Sequence, residues 1–378
     1  MPAPTLLEVK VALLYHGLQI PPKLIAQLNR EDPNWQWGRK GGAGPAGGRY
    51  FLITTPKAEP LPVVNVPLQS KFAQFSPLKV QNIRGVTWEI VQDGDSFCEL
   101  QLLPVPTFHG TSLDGRPAGH YALLHGTNCL ASTVNQRCTY WTAGQQCQFC
   151  GIELSLEAGS TVEVKDAGHL LQVLELALEE SPVTHVTLTT GTQPDASRGI
   201  REYLPIVQEI KASHPEITIH AQFEPPRQDY YTSELKEAGC DTVGIHVEIL
   251  DDARRKATCP GKGHLRWVDY THAWEFAVET FGKNQVDSYI LLGLEPFDSP
   301  FFDRVQEMCA IGVVPYPVPA REIPGTGFEA PIADLETLVE AHRRIAKIMQ
   351  EEGVDPQATI AGCVRCTACS AILEAIQK

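Results

Sequence analysis

The chain has 378 residues, 43% of them hydrophobic, and a formal net charge of −14. That length allows a large domain plus a smaller one, with enough apolar side chains for a sizeable core. The acidic balance argues against a nucleic-acid binder, which needs a basic surface, and no apolar run is long enough to span a bilayer.

The N-terminus, MPAPTLLEVKVALLYHGLQI, has no basic region and no small-residue cleavage site, so it reads as the start of a folded domain. Eleven cysteines in such a chain point to metal binding in a reducing cytoplasm and away from disulfides. Residues 1–118 read as a separate α+β region. Residues 7–15 form a helix or a strand. The run GGAGPAGGR, residues 41–49, lacks the P-loop and dinucleotide patterns and reads as a flexible surface loop. Residues 50–54, 87–91 and 98–103 read as short strands.

From His120 the texture changes to alternating strands and helices. Strands are expected at 121–125, 183–190, 217–223, 242–249, 286–292 and 313–318. The helices between and after them are expected at 166–180, 201–213, 233–238, 268–281, 300–311 and 335–352. Six β-then-α units mean a parallel sheet with helices packed outside, as an open doubly wound sheet or a partial barrel. In either case the site lies at the carboxyl ends of the strands.

The first strand runs into CTYWTAGQQCQFC, in which Cys138, Cys147 and Cys150 are spaced C-x8-C-x2-C. Thiolates are the ligands of iron–sulfur clusters, and three of them leave one iron of a [4Fe–4S] cluster open to an outside ligand. A structural zinc site would need a fourth ligand, which Cys129 or His125 could supply. The stretch resembles the cluster motif of radical S-adenosylmethionine (radical SAM) enzymes, C-x3-C-x-aromatic-C. Phe149 supplies the aromatic residue and Gly151 follows the last cysteine. The first interval departs from the pattern, with eight residues in place of three.

The resemblance covers residues 119–330. It implies an α/β fold, a partial (βα)6 TIM-like barrel of the radical SAM type, between the N-terminal α+β region (1–118) and a C-terminal helix with a cysteine-rich tail (331–378). It also implies a [4Fe–4S] cluster whose open iron chelates S-adenosylmethionine, and an electron donor such as flavodoxin or ferredoxin. A 5′-deoxyadenosyl radical would then abstract hydrogen from a small-molecule substrate, with no nucleic acid or membrane involved.

By the same resemblance, the strand ends supply cofactor contacts. Thr190 and Gly191 follow the second strand, where the family places a glycine-rich turn at the methionyl amine; an ordinary turn is the alternative. Glu224 ends the third strand, as a ribose or proton acceptor or as a helix cap. His246 and Glu248, on one face of the fourth strand by alternation, are similar to the Asn-x-Asp/Glu element of lipoyl and biotin synthases; a buried structural histidine is the alternative for His246. Arg255, Lys256 and Lys262 are candidates for the cofactor carboxylate. Gly293 matches the family's glycine-bearing fifth strand, and Arg321 could grip a substrate carboxylate.

The tail carries Cys363, Cys366 and Cys369 as C-x2-C-x2-C, the first part of the bacterial ferredoxin run. A second [4Fe–4S] cluster follows, with a fourth ligand from Cys98, Cys129, Cys240, Cys259 or Cys309, or with an iron open to substrate. A zinc knot and a flexible tail delivering a thiol are the competing readings. As a whole the chain resembles a radical SAM family encoded beside nitrilases, which implies nitrile or nitrogen metabolism. Two alternatives stand beside that reading: a sulfur-inserting enzyme like biotin or lipoyl synthase, and a non-catalytic iron–sulfur or zinc scaffold.

Overall fold

The computed structural model describes residues 4–31, 41–44, 47–55, 59–68, 72–329 and 334–376. Six parallel strands pair in chain order: β1 Cys129–Thr133, β2 His185–Thr189, β3 Thr218–Phe223, β4 Thr242–Ile245, β5 Val286–Leu292 and β6 Val314–Pro319. The crossover helices are α1 Ala167–Glu180, α2 Ile200–Ser213, α3 Tyr230–Glu237, α4 Trp267–Phe281 and α5 Ser299–Ile311, with α6 Leu335–Glu351 following β6. The sheet curls into an open half barrel.

Local chemistry sets these boundaries. The Asp166 carboxylate caps α1 by accepting the His169 N–H, and α5 stops at Gly312, whose φ of 104° is left-handed. Pro315, Pro317 and Pro319 alternate along β6. Proline has no N–H to donate to a ladder, and β6 is the end strand of its sheet.

The strand that feeds the cysteine loop is β1, not residues 121–125. Leu123–His125 is an antiparallel strand paired with β1 at the sheet's other end. β4 is also shorter than expected. It ends at Ile245, and Glu248 has a φ of 59°.

A parallel sheet covered on both faces is normally apolar throughout. Here one face of β3 carries Ile219, Ala221 and Phe223, whereas the other carries His220 and Gln222 and leads to Glu224. That second face lines the inside of the half barrel.

The N-terminal region holds helix Leu6–His16, opened by a Thr5–Glu8 capping box, and helix Pro22–Glu31. Its antiparallel sheet runs Val63–Pro67, Gly48–Ile53, Asp95–Leu102, Thr87–Gln92, Leu78–Arg84. This sheet reaches both edges of the half barrel. The Tyr50 ring lies 5.7 Å from that of His125, and Arg321, just past β6, donates to the Asn65 side chain at 2.6 Å.

The tail is packed between the two units. Asn65 N–H donates to Ala368 O at 2.7 Å, and the buried Lys10 ammonium pairs with Glu374 at 2.8 Å. Helix Gly362–Cys366 lies on the inner face of β2, β3 and β4. A Cβ at Gly362 would sit 2.6 Å from the His220 ring, so only glycine fits there. The flexible-tail reading is thereby corrected: Ala361, Val364, Ala368, Ala371 and Ile372 are all buried.

The glycine run at residue 41 is not a free surface loop either, as far as its described part shows. Gly41 N–H donates to Ser155 Oγ at 2.9 Å and Ala43 N–H to Thr133 Oγ1 at 2.7 Å. Residues 45 and 46 lie outside the described part.

Candidate functional site

The cysteine loop crosses the carboxyl ends of the strands and is tied down on both sides. Toward β2, Thr139 N–H donates to Thr192 O and Gly191 N–H to Asn135 O, each at 2.8 Å. Gln193 Nε2 donates to Arg137 O at 3.0 Å. Toward the segment after β4, Gln148 N–H donates to Thr258 O at 3.0 Å and Gly261 N–H to Gln145 O at 2.9 Å. Glu153, one turn past Cys150, accepts from Cys138 N–H at 3.1 Å and from Arg137 at 2.9 Å.

These ties bring Cys138, Cys147 and Cys150 within electrostatic reach of one another. Burial pushes the Cys138 thiol up, against the N–H groups of Tyr140, Thr192 and Trp141. Burial likewise pushes Cys150 up to about 12, and the Ile152 N–H opposes it. The Cys147 thiol is raised first by its hydrogen bond with Cys259 and then by burial.

The donor set fits an iron–sulfur cluster. Two of the three thiols, Cys138 and Cys150, face backbone N–H groups that stabilise thiolates and cluster sulfur. The buried indole N–H of Trp141 has no oxygen partner and lies beside Cys150. Among the described residues, no three His, Cys, Asp or Glu side chains close on a single metal ion.

Glu224, at the end of β3, is neither a helix cap nor a solvated carboxylate. It is buried, accepts from Tyr140 Oη at 2.8 Å and Thr192 Oγ1 at 3.3 Å, and forms an ion pair with the Arg198 guanidinium, whose Nε lies 3.3 Å away. Gly261 lies flat against the Tyr140 ring, where a side chain would collide.

Glu248 pairs with Lys262 Nζ at 2.6 Å. Burial works against the Lys262 charge, but Glu248, with Tyr270 and Cys147 beside it, outweighs that and holds the ammonium well above the ordinary lysine range. His246 does not continue the strand alternation toward Glu248. Its ring stacks on Tyr289 at 4.0 Å, and Nδ1 accepts the Tyr289 N–H at 3.2 Å.

The other expected contacts are dispersed. Arg255 is buried and directed inward, donating to Ile249 O at 2.8 Å and Leu265 O at 3.1 Å and pairing with Asp252. Arg321 binds the N-terminal sheet. Thr190 Oγ1 donates to Glu202 at 3.0 Å, which anchors the turn to α2. Gly191 has no room for a side chain, because a Cβ would collide with Arg137 O. Gly41 likewise has no room for a side chain, because a Cβ there would collide with the Gly151 backbone. Phe149 meets the Phe328 ring edge-on at 6.2 Å, and Gly293, with φ of 104°, makes the turn after β5.

Sequence reasoning missed Tyr140, Glu153 and Arg198, and offered Cys259 only as a ligand for the tail. Tyr140 alone carried a signal, as an aromatic inside the long cysteine interval.

Residues 142–281 match the Radical SAM superfamily, a stretch that includes Cys147 and Cys150 and starts just after Cys138. These residues form a radical SAM domain, a kind of domain that works with a [4Fe–4S] cluster and S-adenosylmethionine. Among curated proteins the chain is 31% identical over 181 residues to 5-amino-6-(D-ribitylamino)uracil–L-tyrosine 4-hydroxyphenyl transferase 2 of Methanosarcina barkeri, covering 42% of this chain and 44% of that one. It is 32% identical over 122 residues to the protein of the same name from Methanosarcina acetivorans, covering 28% and 31%. The matches span less than half the length of these relatives. Among solved structures, a radical SAM methyltransferase from Sphaerobacter thermophilus aligns with a TM-score of 0.47 and 12% identity, over 93% of this chain and 85% of that one. The hydrogenase maturase HydG from Carboxydothermus hydrogenoformans aligns with a TM-score of 0.46 and 16% identity, over 61% and 53%.

No helix among the described residues is long and apolar enough to cross a membrane.

Proposed function

We propose that this chain binds its [4Fe–4S] cluster through Cys138, Cys147 and Cys150 and uses it with S-adenosylmethionine to abstract hydrogen from a small molecule held in the half barrel. The observation that carries the reading is the meeting of three thiols, two of them faced by backbone N–H donors, past the carboxyl end of β1, beside the buried Glu224 and the Glu248–Lys262 pair. Cys138, Cys147 and Cys150 would hold the cluster, and its chemistry there would be one-electron reductive cleavage of S-adenosylmethionine.

The chain's own residues orient and enclose. Glu224, braced by Tyr140 and Arg198, is placed to accept from ribose hydroxyls, and Lys262 is placed to meet the methionyl carboxylate. Thr190, Gly191 and Gly293 shape the rim, and Phe149 packed on Phe328 keeps water from the cysteine loop. A flavodoxin or ferredoxin of a reducing cytoplasm would supply the electron. The small-molecule substrate belongs, on the resemblance to the nitrilase-linked family, to nitrile or nitrogen metabolism.

One observation favours a second reading. The tail thiols lie on the inner face of the barrel, where a sulfur donor would have to be, as in sulfur insertion of the biotin or lipoyl synthase kind. Iron lost from the tail during a single turnover would support it.

The test is electron paramagnetic resonance of the reduced protein with and without S-adenosylmethionine. Binding at an open iron changes the signal, and Cys150→Ala abolishes the change. A spectrum indifferent to the nucleotide would leave only a scaffold.

A further inference from the structure

Well below the mouth, a second set of thiols meets inside the barrel. Cys129 opens β1, and its thiol hydrogen-bonds that of Cys366 in the tail. Helix Gly362–Cys366 puts Cys363 and Cys366 on one face, three residues apart. Thr367, at a left-handed φ of 64°, then turns the chain so that Cys369 comes back within electrostatic reach of Cys366 and Cys363. Gly126, also at positive φ, lies against the Cys366 sulfur, where a Cβ would stand 3.4 Å from it.

The remaining candidates for a fourth thiol are spent elsewhere. Cys240 donates to Ile219 O and Thr242 O, and Cys309 is buried on α5. Cys259 belongs to Cys147, and Cys98 lies in the N-terminal sheet.

The surroundings suit thiolates. Tyr289 Oη donates to Cys363 Sγ at 2.6 Å, Gln222 Nε2 reaches the same sulfur at 3.6 Å, and Thr187 Oγ1 meets Cys129 Sγ at 3.3 Å. The Arg321 guanidinium stands near Cys369. Its partners are the Asn65 side chain and the carbonyls of Asn65 and Leu14, while its buried Nε has none. Among the described residues no carboxylate pairs with it, so a cation is set into the interior without a counter-charge.

We propose that Cys129, Cys363, Cys366 and Cys369 bind a second [4Fe–4S] cluster, closed by four thiolates, on the inner face of the half barrel beneath the N-terminal sheet. A single tetrahedral ion at about 2.3 Å from each sulfur would draw its ligands nearly into contact, and no three of these side chains are so arranged. An iron–sulfur cube takes its thiolates further apart, so that Cys129 and Cys366 would separate on binding it, and it brings negative charge to set against Arg321. With all four irons ligated, the cluster offers no site to substrate or to S-adenosylmethionine, which fits an electron relay or a structural centre. The site does not depend on the chemistry at the mouth.

The experiment therefore begins by removing the mouth cluster. Protein carrying Cys138→Ala, Cys147→Ala and Cys150→Ala is reconstituted anaerobically with ferrous iron and sulfide. About four irons and four sulfides per chain are expected, with a reduced resonance signal that S-adenosylmethionine leaves unchanged. Adding Cys129→Ala should lower the iron to about three or fewer per chain, and adding Cys98→Ser should not. Cys129→Ala alone should keep the nucleotide-sensitive mouth signal, which shows that the chain still folds. Binding of less than one iron, binding of zinc instead, or full iron and an unchanged spectrum after Cys129→Ala would overturn the proposal.

Discussion

The phenol of Tyr140, inside the cysteine loop, donates to the Glu224 carboxylate at the end of β3 at 2.8 Å. The eight residues between Cys138 and Cys147 begin with a short helix, Thr139–Thr142, that carries this tyrosine inward before Gly144 turns the chain back. The long interval thus does structural work that a three-residue interval could not. Tyr140→Phe keeps the ring against Gly261 but removes one donor to a buried carboxylate. It should cost about 1–3 kcal/mol, seen as a lower anaerobic melting temperature and weaker S-adenosylmethionine binding. An unshifted melting temperature would remove the brace from the account.

Glu248 and Lys262 form a nearly enclosed ion pair. Lys262→Met leaves the carboxylate uncompensated, and breaking such a pair costs about 3–5 kcal/mol. Adding Glu248→Gln should return most of that loss, since the stranded charge is gone. Chemical denaturation of the three variants measures it. A double variant no more stable than the single one would contradict the pairing.

Gly191 holds the end of β2 against Arg137 and Cys138, with backbone on the far side that cannot yield. Gly191→Ala should overpack the contact by about 1–3 kcal/mol and lower iron at the mouth while sparing the tail site. Iron counts in the presence and absence of the tail cysteines separate the two.

His342 gives a pH dependence remote from both thiol sets. Burial lowers its imidazole to about 4, with Nδ1 on Leu338 O and the Tyr15 ring edge-on beside it; Lys10 is the charge nearby. In the unfolded chain the group titrates near 6.5. The folded value is depressed, so protons bind the unfolded state first. The stability this group contributes is present above about pH 6.5 and falls by about 1.4 kcal/mol per unit below it, or about 2 kcal/mol at pH 5. His342→Leu should flatten that part of the melting-temperature curve between pH 7 and 5. A variant curve parallel to wild type would contradict it.

The barrel was legible because its signals are local. Gly312 stops α5, Asp166 caps α1, and residues 286–292 match β5 as read from their β-branched and apolar character. The first strand was misread because residues 121–125 and Cys129–Thr133 are both short apolar runs joined by a hairpin, and periodicity does not rank them. Glu248 left the alternation because its φ is positive, which its sequence neighbours do not signal. In the mouth, Cys138, Cys147 and Cys150 were visible from spacing, whereas Arg198 and Glu153 are ordinary surface-like residues until the loops fold over them. Cys129 was one of five candidates for the tail, and only the start register of β1 beside His185 sets it against Cys366.

The most direct test is turnover itself. Anaerobically reconstituted protein, given S-adenosylmethionine and dithionite, should release 5′-deoxyadenosine and methionine in equal amounts, and Cys147→Ala should release neither. Wild-type protein that holds its iron yet forms no 5′-deoxyadenosine under strong reductant would contradict the account.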